Sequence, residues 1–483
     1  MTRAPTATPP AITFEELAGI PPVLIPRHFD LETLGYREAE FEARGQALAY
    51  RAVGRRRHDG PIAAEPAQSA PFATRVLVRC PTAAVFSGTV VVEWLNVSSG
   101  TDTAPEWDYL HRHIIRRGDA WVGVTAQKAG IDGGGIAEGV HLKRYRPQRY
   151  GHLSHPGDAF SFDVFNQVGQ ALRQRTSPLL GDLLAEQLLA TGESQSAAFL
   201  ATYINAIDPL ARTFDGFLLH GRPGTRGRLD GVFGPRVRDE HYDAAAHCPE
   251  PIRADARVPV LLLSSETDVT VLRNAAIGQL DSDRVRLWEL PGASHADTYL
   301  LVASRADGGQ LEASELARLL EPIQEFGITT TEKPINSAPH QHYVAQAALE
   351  HLTGWAGPGE PGEPPPVAPR LELGEDGTAL ARDELGNAVG GIRNPWVDAP
   401  IRVLSGEGQR GDAFAFLMGT TEPLEPATIA GLYPRGAEDY LAAFEASLEE
   451  AIAGGFILEA DRQEILAVAA ETFRLALGGQ TEQ

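Results

Sequence analysis

One short segment of the sequence carries a serine in a setting suited to nucleophilic catalysis. The apolar run Leu188–Thr191 leads into Gly192-Glu-Ser194-Gln-Ser196, and an apolar, helix-periodic stretch follows at once. This strand–turn–helix context is typical of a nucleophile elbow, where small residues on either side of the serine let strand and helix pack closely. Gly192 meets that need, and Ser196 is a small departure from the usual glycine. The pattern predicts Ser194 as a nucleophile; a serine that merely caps a helix is the structural alternative.

Two later segments offer the partners that a catalytic serine needs. A serine hydroxyl is a weak nucleophile, so it requires an imidazole to accept its proton and a carboxylate to orient that imidazole. Asp268 comes shortly after the apolar run Val258–Leu263. His295 comes shortly after the run Val285–Leu290, which completes the order Ser, acid, His. Glu266 lies on the same loop and stays an alternative acid, although the usual offset beyond the strand favours Asp268.

Four other motifs have simpler explanations. Gly292-Ala-Ser-His-Ala296 repeats the serine pattern, but no apolar helix follows it directly. His111-Arg-His113 is expected on the polar face of a helix. His340-Gln-His342 has no Cys or third His beside it, and structural zinc normally takes four protein ligands, so no metal site is predicted. Gly130–Gly135 lacks the spacing of a phosphate-binding loop and is expected to be an ordinary loop.

The elements that must position these residues alternate along the chain. Several apolar runs are apolar on both faces, which is typical of parallel strands buried between helices. Helices are predicted between them, one over Val164–Leu172 with an N-cap at Asp158 and one from Gln195 to about Ile207. The alternation predicts an α/β fold with a largely parallel sheet reaching from about residue 75 to 300. The predicted strands are Val90–Trp94, Ala120–Thr125, Leu188–Thr191, Phe217–Leu219, Val258–Leu263 and Val285–Leu290.

Two stretches punctuate the chain. The N-terminus is expected to be loose as far as about Pro26, and the arm Gly357–Pro369 is too rich in Pro and Gly for a helix or a central strand. We predict a catalytic domain over residues 1–357 and a C-terminal extension over 358–483 that is integrated with it. Beyond the arm, the patterns predict a hairpin with an Asp-Gly turn over 371–380 and two helices, near Ala437–Ala453 and over Glu459–Leu477.

Composition excludes several classes of protein. The 42 Lys and Arg residues against 64 Asp and Glu residues give a net charge of −22, a field that repels phosphate backbones, so no nucleic-acid partner is predicted. Hydrophobic residues make up 43% of the chain, enough for a sizeable core. No apolar stretch approaches the roughly 18 residues of a spanning helix, and no signal-peptide core is evident, so a cytoplasmic protein without a membrane partner is expected. Cys80 and Cys248 are expected to be inert thiols.

Segments spread over nearly the whole chain carry a family resemblance. They are Gly35–Phe41, Val90–Val97, Trp121–Gln127, His155–Asp158, Gly192–Ser196, Ser265–Asp268 and Gly386–Trp396. With them the chain resembles the α/β-hydrolase superfamily, and within it a bacterial group of long serine hydrolases. The resemblance implies an α/β-hydrolase fold with the C-terminal extension packed on it as part of the family unit. It also implies an oxyanion hole made by the main-chain N–H of Gln195 and by that of Asn96 or Val97.

We therefore predict a serine carboxylic-ester hydrolase that works through an acyl-enzyme and needs no cofactor. The acidic charge disfavours polyanionic substrates and favours a small, neutral or apolar ester. Acyl transfer to an alcohol or amine would use the same triad and stays open. A non-catalytic binding protein on the same scaffold is the other alternative, and the intact set of Ser, acid and His argues against it. The extension is expected to cover the catalytic face, with Asn394-Pro-Trp396 supplying pocket wall.

Overall fold

Nine strands form one sheet in the computed structural model, which describes residues 12–24, 27–54, 59–134, 139–234, 250–357, 359, 362–375 and 377–478. In chain order they are β1 (Thr13–Glu16), β2 (Tyr36–Ala52), β3 (Ala64–Pro81), β4 (Thr89–Trp94), β5 (Ala120–Val124), β6 (Gln187–Glu193), β7 (Gly216–His220), β8 (Val260–Ser265) and β9 (Val285–Leu290). Across the sheet the order is β1-β2-β3-β5-β4-β6-β7-β8-β9. Two small antiparallel pairs lie apart from it, β10 (Glu325–Phe326) with β11 (Thr329–Thr330) and β12 (Arg402–Ser405) with β13 (Thr420–Pro423).

Six strands, β5, β4, β6, β7, β8 and β9, run parallel to one another, and they are the six strands that the sequence predicts. Their alternate residues face two separate apolar layers. In β6, Leu188 and Ala190 pack into one layer and Leu189 into the other. This is the two-sided burial expected of parallel strands between helices. The predicted α/β-hydrolase fold is confirmed.

The sheet begins much earlier than predicted, because β1, β2 and β3 add three antiparallel strands to its edge. The predicted loose N-terminus is therefore wrong over Thr13–Glu16, and the predicted sheet start near residue 75 is wrong as well. Glu and Ala fill much of β2, and both residue types are depleted in strands. The inward-facing Glu40 is tolerated because Arg149 Nε and the Tyr150 hydroxyl donate hydrogen bonds to its carboxylate at 2.7 and 2.8 Å. These partners are distant in sequence, so no local pattern reveals the strand.

Helices cover both faces of the sheet. One apolar layer lies against the helices Ser161–Leu172 and Gln195–Thr202, and the other lies against the helices Pro105–Arg117, His340–Trp355, Ala437–Ala453 and Arg462–Gly478. The α-helices are α1 (Pro105–Arg117), α2 (Lys128–Asp132), α3 (Leu142–Tyr145), α4 (Pro147–Tyr150), α5 (Ser161–Leu172), α6 (Gln195–Thr202), α7 (Asp208–Ala211), α8 (Glu266–Val269), α9 (Thr298–Leu301), α10 (Ala313–Leu319), α11 (His340–Trp355), α12 (Pro395–Asp398), α13 (Pro426–Leu432), α14 (Ala437–Ala453) and α15 (Arg462–Gly478). A π-helical turn, Tyr203–Ile207, continues α6, and 3₁₀ turns occupy Glu32–Leu34, Asp158–Phe160, Asn274–Ile277, Ala303–Arg305, Ala415–Leu417 and Glu459–Asp461.

One helix start differs from its prediction. Asp158 opens a 3₁₀ turn, and α5 begins only at Ser161 without a capping side chain. The Asp158 carboxylate instead accepts a hydrogen bond from the main-chain N–H of Lys128 at 2.6 Å, at the start of α2. The predicted N-cap is wrong because a helix 30 residues earlier uses the side chain.

The C-terminal segment packs onto the same apolar layer as α1 and α11. Phe444 of α14 and Ile465 of α15 belong to one buried cluster with Trp288 of β9 and Tyr343 of α11. The two predicted tail helices are confirmed, and Leu373 faces Leu380 in an antiparallel bridge within the predicted hairpin. The domain boundary at residue 357 stays a prediction.

The Pro-rich arm runs beside the last strand of the sheet. Arg286 Nε and Trp288 Nε1 of β9 donate hydrogen bonds to the carbonyls of Pro365 and Pro366 at 3.1 and 3.0 Å. The described part of the arm forms neither helix nor strand, in agreement with its prediction. Across the described residues, no helix combines the length and the apolar character needed to cross a membrane.

Candidate active site

Ser194 lies at a sharp turn between β6 and α6. Its backbone has φ 60° and ψ −121°, a left-handed conformation that is unusual for a residue with a side chain. A Cβ added at Gly192 would stand 2.9 Å from Ser196 Cβ and 3.0 Å from Leu200 Cδ1, so the turn requires glycine there. The Ser194 side chain makes no helix-capping hydrogen bond. The strained turn thus presents the hydroxyl as a nucleophile elbow does.

His295 joins the serine to a carboxylate. Its Nε2 lies 2.9 Å from Ser194 Oγ, and its Nδ1 lies 2.6 Å from Asp268 Oδ1. The other carboxylate oxygen of Asp268 accepts hydrogen bonds from the N–H and the hydroxyl of Ser265, at 2.6 and 2.8 Å. Ser265 and Asp268 form the capping box of the short helix α8, which fixes the carboxylate in place. The structure therefore brings together three residues that lie up to 101 positions apart in sequence.

Glu266, the alternative acid, points elsewhere. Its buried carboxylate accepts hydrogen bonds from the N–H groups of Gly292 and Gly406 at 2.6 and 2.9 Å, and from Arg382 Nη2 at 2.9 Å. Burial raises its pKa, while Arg382 acts in the opposite direction. Glu266 thus joins the loop after β8 to the C-terminal segment. In the part of the chain that the structure describes, none of its hydrogen bonds goes to His295, so the geometry does not support it as the orienting acid.

A second carboxylate approaches His295 that the sequence reasoning missed. Glu193 Oε1 lies 2.8 Å from His295 Nε2, and only 7% of the Glu193 side chain is exposed. Burial lowers the pKa of His295, but the carboxylates of Glu193 and Asp268 outweigh burial and raise that pKa to about 10. The sequence did contain a signal for this contact, because a glutamate directly precedes the candidate nucleophile.

Asn96 ties the loop after β4 to the serine turn. Its side-chain Nδ2 donates to the Glu193 carbonyl at 3.0 Å and to Glu193 Oε2 at 3.2 Å. Its main-chain N–H donates to the carbonyl of Thr103 at 3.0 Å, so that N–H is not available to an oxyanion. Val97 and Gln195 line the cavity beside Ser194. Gln195 is the first residue of α6, where a main-chain N–H has no acceptor within its own helix.

Further buried ionisable groups lie on the neighbouring elements β4, α1 and β7. Glu93 accepts hydrogen bonds from Trp121 Nε1 at 2.8 Å and from the N–H groups of Trp107 and Glu106 at 2.9 and 3.1 Å. Burial and the nearby Glu106 charge raise the pKa of Glu93. His220 Nδ1 lies 3.5 Å from Glu106 Oε1. The serine turn therefore borders on a concentration of buried acidic groups.

A cavity of about 910 Å³ opens onto Ser194 and His295. Much of its wall is apolar, and the loop over residues 414–418 of the C-terminal segment contributes Phe414, Phe416, Leu417 and Met418. The extension thus reaches the cavity, but through this loop. The prediction that Asn394-Pro-Trp396 forms pocket wall is wrong, because Trp396 stacks on His340 and Tyr343 and meets Phe444 edge-on, packed against the core.

The remaining histidine pairs lie inside the protein. His111 and His113 are buried rather than on a polar face, because α1 is covered by both the sheet and the C-terminal segment. His340 Nε2 bonds the carbonyl of Pro291 at 2.9 Å, and the His342 ring stacks on Tyr299. Over the described ranges, no three or more His, Cys, Asp or Glu residues are grouped so as to hold a metal ion.

The other motifs are less informative. Lys128–Asp132 forms the short helix α2 within the Gly-rich segment, while Gly135 lies outside the described residues. Ser294, in the second serine pattern, is buried, and its hydroxyl donates to the carbonyl of Ala296 at 2.9 Å. Cys80 is a buried free thiol, and Cys248 lies outside the described residues.

The sheet, the elbow and the histidine contact describe an α/β-hydrolase, and comparison with known proteins agrees. A family model described as an alpha/beta hydrolase domain matches residues 5–467. The chain therefore belongs to this alpha/beta hydrolase family, and the resemblance drawn from its sequence segments is confirmed. No curated protein sequence matches the chain.

Solved structures similar to this chain include hydrolases and esterases. An α/β serine hydrolase without lid from Xanthomonas campestris is 12% identical, with a TM-score of 0.27 over 46% of this chain and 80% of that chain. A thermostable esterase from Pseudomonas putida is 13% identical, with a TM-score of 0.29 over 58% of this chain and 80% of that one. A fungal esterase from Rhizomucor miehei is 14% identical, with a TM-score of 0.28 over 58% of this chain and 83% of that one. Values this low transfer neither a substrate nor a residue's role.

Proposed function

We propose that the chain is a serine carboxylic-ester hydrolase in which Ser194 is the nucleophile, His295 the general base and acid, and Asp268 the orienting carboxylate. The observation that carries the proposal is the continuous contact from Ser194 Oγ through His295 to Asp268, at 2.9 and 2.6 Å, beside an open cavity. Membership of an alpha/beta hydrolase family supports a hydrolytic reaction.

In the first half of the reaction, Ser194 Oγ attacks the ester carbonyl while His295 Nε2 takes the hydroxyl proton. The developing oxyanion would accept hydrogen bonds from the N–H groups of Gln195 and Val97, since the N–H of Asn96 is already engaged with Thr103. The C–O bond to the alcohol then breaks, and His295 delivers its proton to the leaving oxygen. An acyl ester on Ser194 remains.

In the second half, water replaces the alcohol. His295 Nε2 accepts a proton from the water as its oxygen attacks the acyl carbonyl, and the same two N–H groups hold the oxyanion. The bond to Ser194 Oγ breaks as His295 returns the proton to that oxygen. A carboxylic acid leaves, and the enzyme regains its starting protonation. Asp268 keeps the imidazole in the required tautomer throughout and stabilises its cation.

The cavity favours a neutral, apolar small molecule as the substrate. Its volume of about 910 Å³ lies at the upper end of the range of small-molecule pockets, roughly 300–1,000 Å³. Phe326, Phe414, Leu417 and Met418 supply apolar surface to the cavity wall. The net charge of −22 disfavours polyanionic esters.

The test is hydrolysis of a panel of p-nitrophenyl esters, from acetate to laurate, by the full chain and by Ser194→Ala. We expect measurable turnover by the full chain and a loss of about 10⁴-fold or more in the variant, because the acyl-enzyme can no longer form. A fluorophosphonate probe should label the full chain and not the variant. Ser294→Ala is the matched control, because its buried hydroxyl faces a carbonyl rather than His295. Equal hydrolysis by the Ser194→Ala protein would contradict the assignment.

A further inference from the structure

Glu193 and Ser194 compete for the same nitrogen of His295. Nε2 lies 2.8 Å from Glu193 Oε1 and 2.9 Å from Ser194 Oγ. When a neutral imidazole donates its Nδ1 proton to Asp268, only a lone pair remains at Nε2. A carboxylate cannot approach that lone pair at hydrogen-bond distance unless a proton lies between them. The contact therefore favours one proton more than a resting Ser–His–Asp triad carries.

Glu193 is held where it makes this contact. Asn96 Nδ2 donates to both its carbonyl and its carboxylate, and the backbone of Glu193 pairs with His220 in the sheet. A Cβ added at Gly221 would stand 3.0 Å from His295 Cε1 and 3.4 Å from Glu193 Oε1, so there is little space on that side. The contact is therefore part of the packed structure of the site.

We propose that His295 rests as an imidazolium bound to both Asp268 and Glu193, and that loss of the Nε2 proton to solvent switches the hydrolase on as the pH rises. Glu193 is the positioning residue that sets the pH of this switch. The inference rests on the proposed function, because the switch acts on the base that Ser194 needs. After the proton leaves, the Nε2 lone pair can accept the Ser194 hydroxyl proton, and turnover proceeds.

The ionisable groups around His295 favour the protonated form of its imidazole. Asp268 faces it from α8 and Glu193 from β6, and their charges act against burial to raise the pKa of His295 to about 10. Among the described residues, Glu106 of α1, Asp297 of the histidine loop, His220 and Tyr109 belong to the same group of interacting ionisable side chains. Burial lowers the pKa of His220, but Glu106, Glu193 and Asp268 outweigh burial and raise it. The set contains more acidic than basic members, so its field retains protons on the two imidazoles.

The same contact has a second effect during turnover. Each tetrahedral intermediate places a proton on His295 Nε2, and a neighbouring carboxylate stabilises that cation. A Glu193→Gln protein should therefore become active at lower pH and reach a lower plateau. This combination separates Glu193 from a purely structural residue, whose loss would lower the rate without moving the pH profile.

The first experiment compares the pH dependence of kcat/KM for the full chain, Glu193→Gln and Glu106→Gln. Glu106 is the matched control, because it is another buried glutamate of the same cluster that faces His220 rather than His295. We expect the midpoint of the Glu193→Gln profile to fall by about two pH units, since one contacting negative charge is lost, and that of Glu106→Gln to fall by less than half as much. Coincident profiles for Glu193→Gln and the full chain would overturn the proposal, and so would equal shifts in the two variants.

The second experiment does not depend on activity. ¹⁵N NMR of the His295 ring, assigned by its loss in His295→Gln, should show both nitrogens protonated at pH 7 and at pH 9 in the full chain, and one nitrogen protonated at pH 9 in Glu193→Gln. A neutral ring in the full chain at pH 7 would overturn the proposal even if Glu193→Gln fails to fold. If the full chain hydrolyses no ester, the proposed function fails, and the NMR titration still decides whether Glu193 holds the extra proton.

Discussion

Glu266 and Asp268 stand two residues apart on one short helix, and both are buried carboxylates with several hydrogen bonds. Asp268 turns toward the sheet edge and contacts His295, whereas Glu266 turns toward the C-terminal segment and contacts Arg382 and Gly406. Successive residues of an α-helix are separated by about 100°, so residues two apart face nearly opposite directions. One helix therefore contributes to two regions of the molecule, the candidate active site and the contact with the C-terminal segment.

Two buried carboxylates at neighbouring positions can therefore have different partners and different roles. Asp268 is oriented by Ser265 of its own capping box and offers its free oxygen to His295. Glu266 has its oxygens occupied by two main-chain N–H groups and an arginine. The first arrangement leaves one acceptor for an imidazole, and the second leaves none. Loss of the Asp268 carboxylate should therefore affect mainly catalysis, and loss of the Glu266 carboxylate should affect mainly stability.

Replacing each of the two carboxylates by its amide should have the largest effects. Asp268→Asn should lower kcat by about 10³–10⁴-fold while leaving the thermal midpoint nearly unchanged, because an amide favours the wrong imidazole tautomer. Glu266→Gln should instead lower the free energy of unfolding by about 2–4 kcal/mol, because it leaves the Arg382 guanidinium without its buried partner. Its kcat per folded molecule should stay within about threefold of the full chain.

The measurements are ester kinetics and urea unfolding on both variants. The fraction of unfolded protein is subtracted from the enzyme concentration, so that a loss of folded enzyme is not mistaken for a loss of kcat. A severe loss of kcat in folded Glu266→Gln, together with an active Asp268→Asn, would reverse the roles that we assign to the two residues.

The pH dependence of the free energy of unfolding should report the protonation of His295. The pKa of His295 is raised in the folded chain from 6.5 to about 10. The stabilisation from its protonated form is thus fully present below about pH 6.5 and is lost as the pH rises toward 10. Between these values we expect the free energy of unfolding to fall more steeply in the full chain than in His295→Gln. Urea unfolding at pH 6.5, 8 and 10 measures both slopes, and equal slopes would contradict a raised pKa at His295.

The smallest effect is expected where the extension meets the cavity. Phe416 is 45% exposed and lines the cavity, and we expect it to contact a long acyl chain rather than a short one. Phe416→Ala should lower kcat/KM for a laurate ester by about tenfold, with little change for acetate, because about 1.4 kcal/mol of apolar contact is lost. Leu432→Ala is the control, since Leu432 is 40% exposed and does not line the cavity. Equal losses for both esters would argue against this role.

Sequence patterns predicted the six parallel strands of the sheet well, because each contains a short apolar run that can be recognised in a local window. They missed β2, whose Glu40 is stabilised by Arg149 and Tyr150 from a segment about 110 residues away. They also misplaced the cap at Asp158, whose carboxylate bonds an earlier helix. In each case a polar side chain is satisfied by a partner that a local window does not contain.

The candidate site likewise has features that the sequence predicts and features that depend on tertiary contacts. The identity and order of Ser194, Asp268 and His295 follow from strand-end positions and could be read along the chain. The strand-end offset favoured Asp268 over Glu266, but the contacts of Glu266 with Arg382 and Gly406, more than 100 positions away, could not be read there. The contact of Glu193 with His295 likewise arises only when the loop after β9 folds back over the end of β6.

Local pattern was thus sufficient for the fold class, the elbow and the three residues proposed to react, because each depends on residues that are neighbours in sequence. Folding assigned the partner of each carboxylate and brought Glu193 to the imidazole. It also placed the 414–418 loop at the cavity wall. These outcomes depend on distances between segments far apart in the chain, which hydrophobic periodicity and motif spacing do not encode.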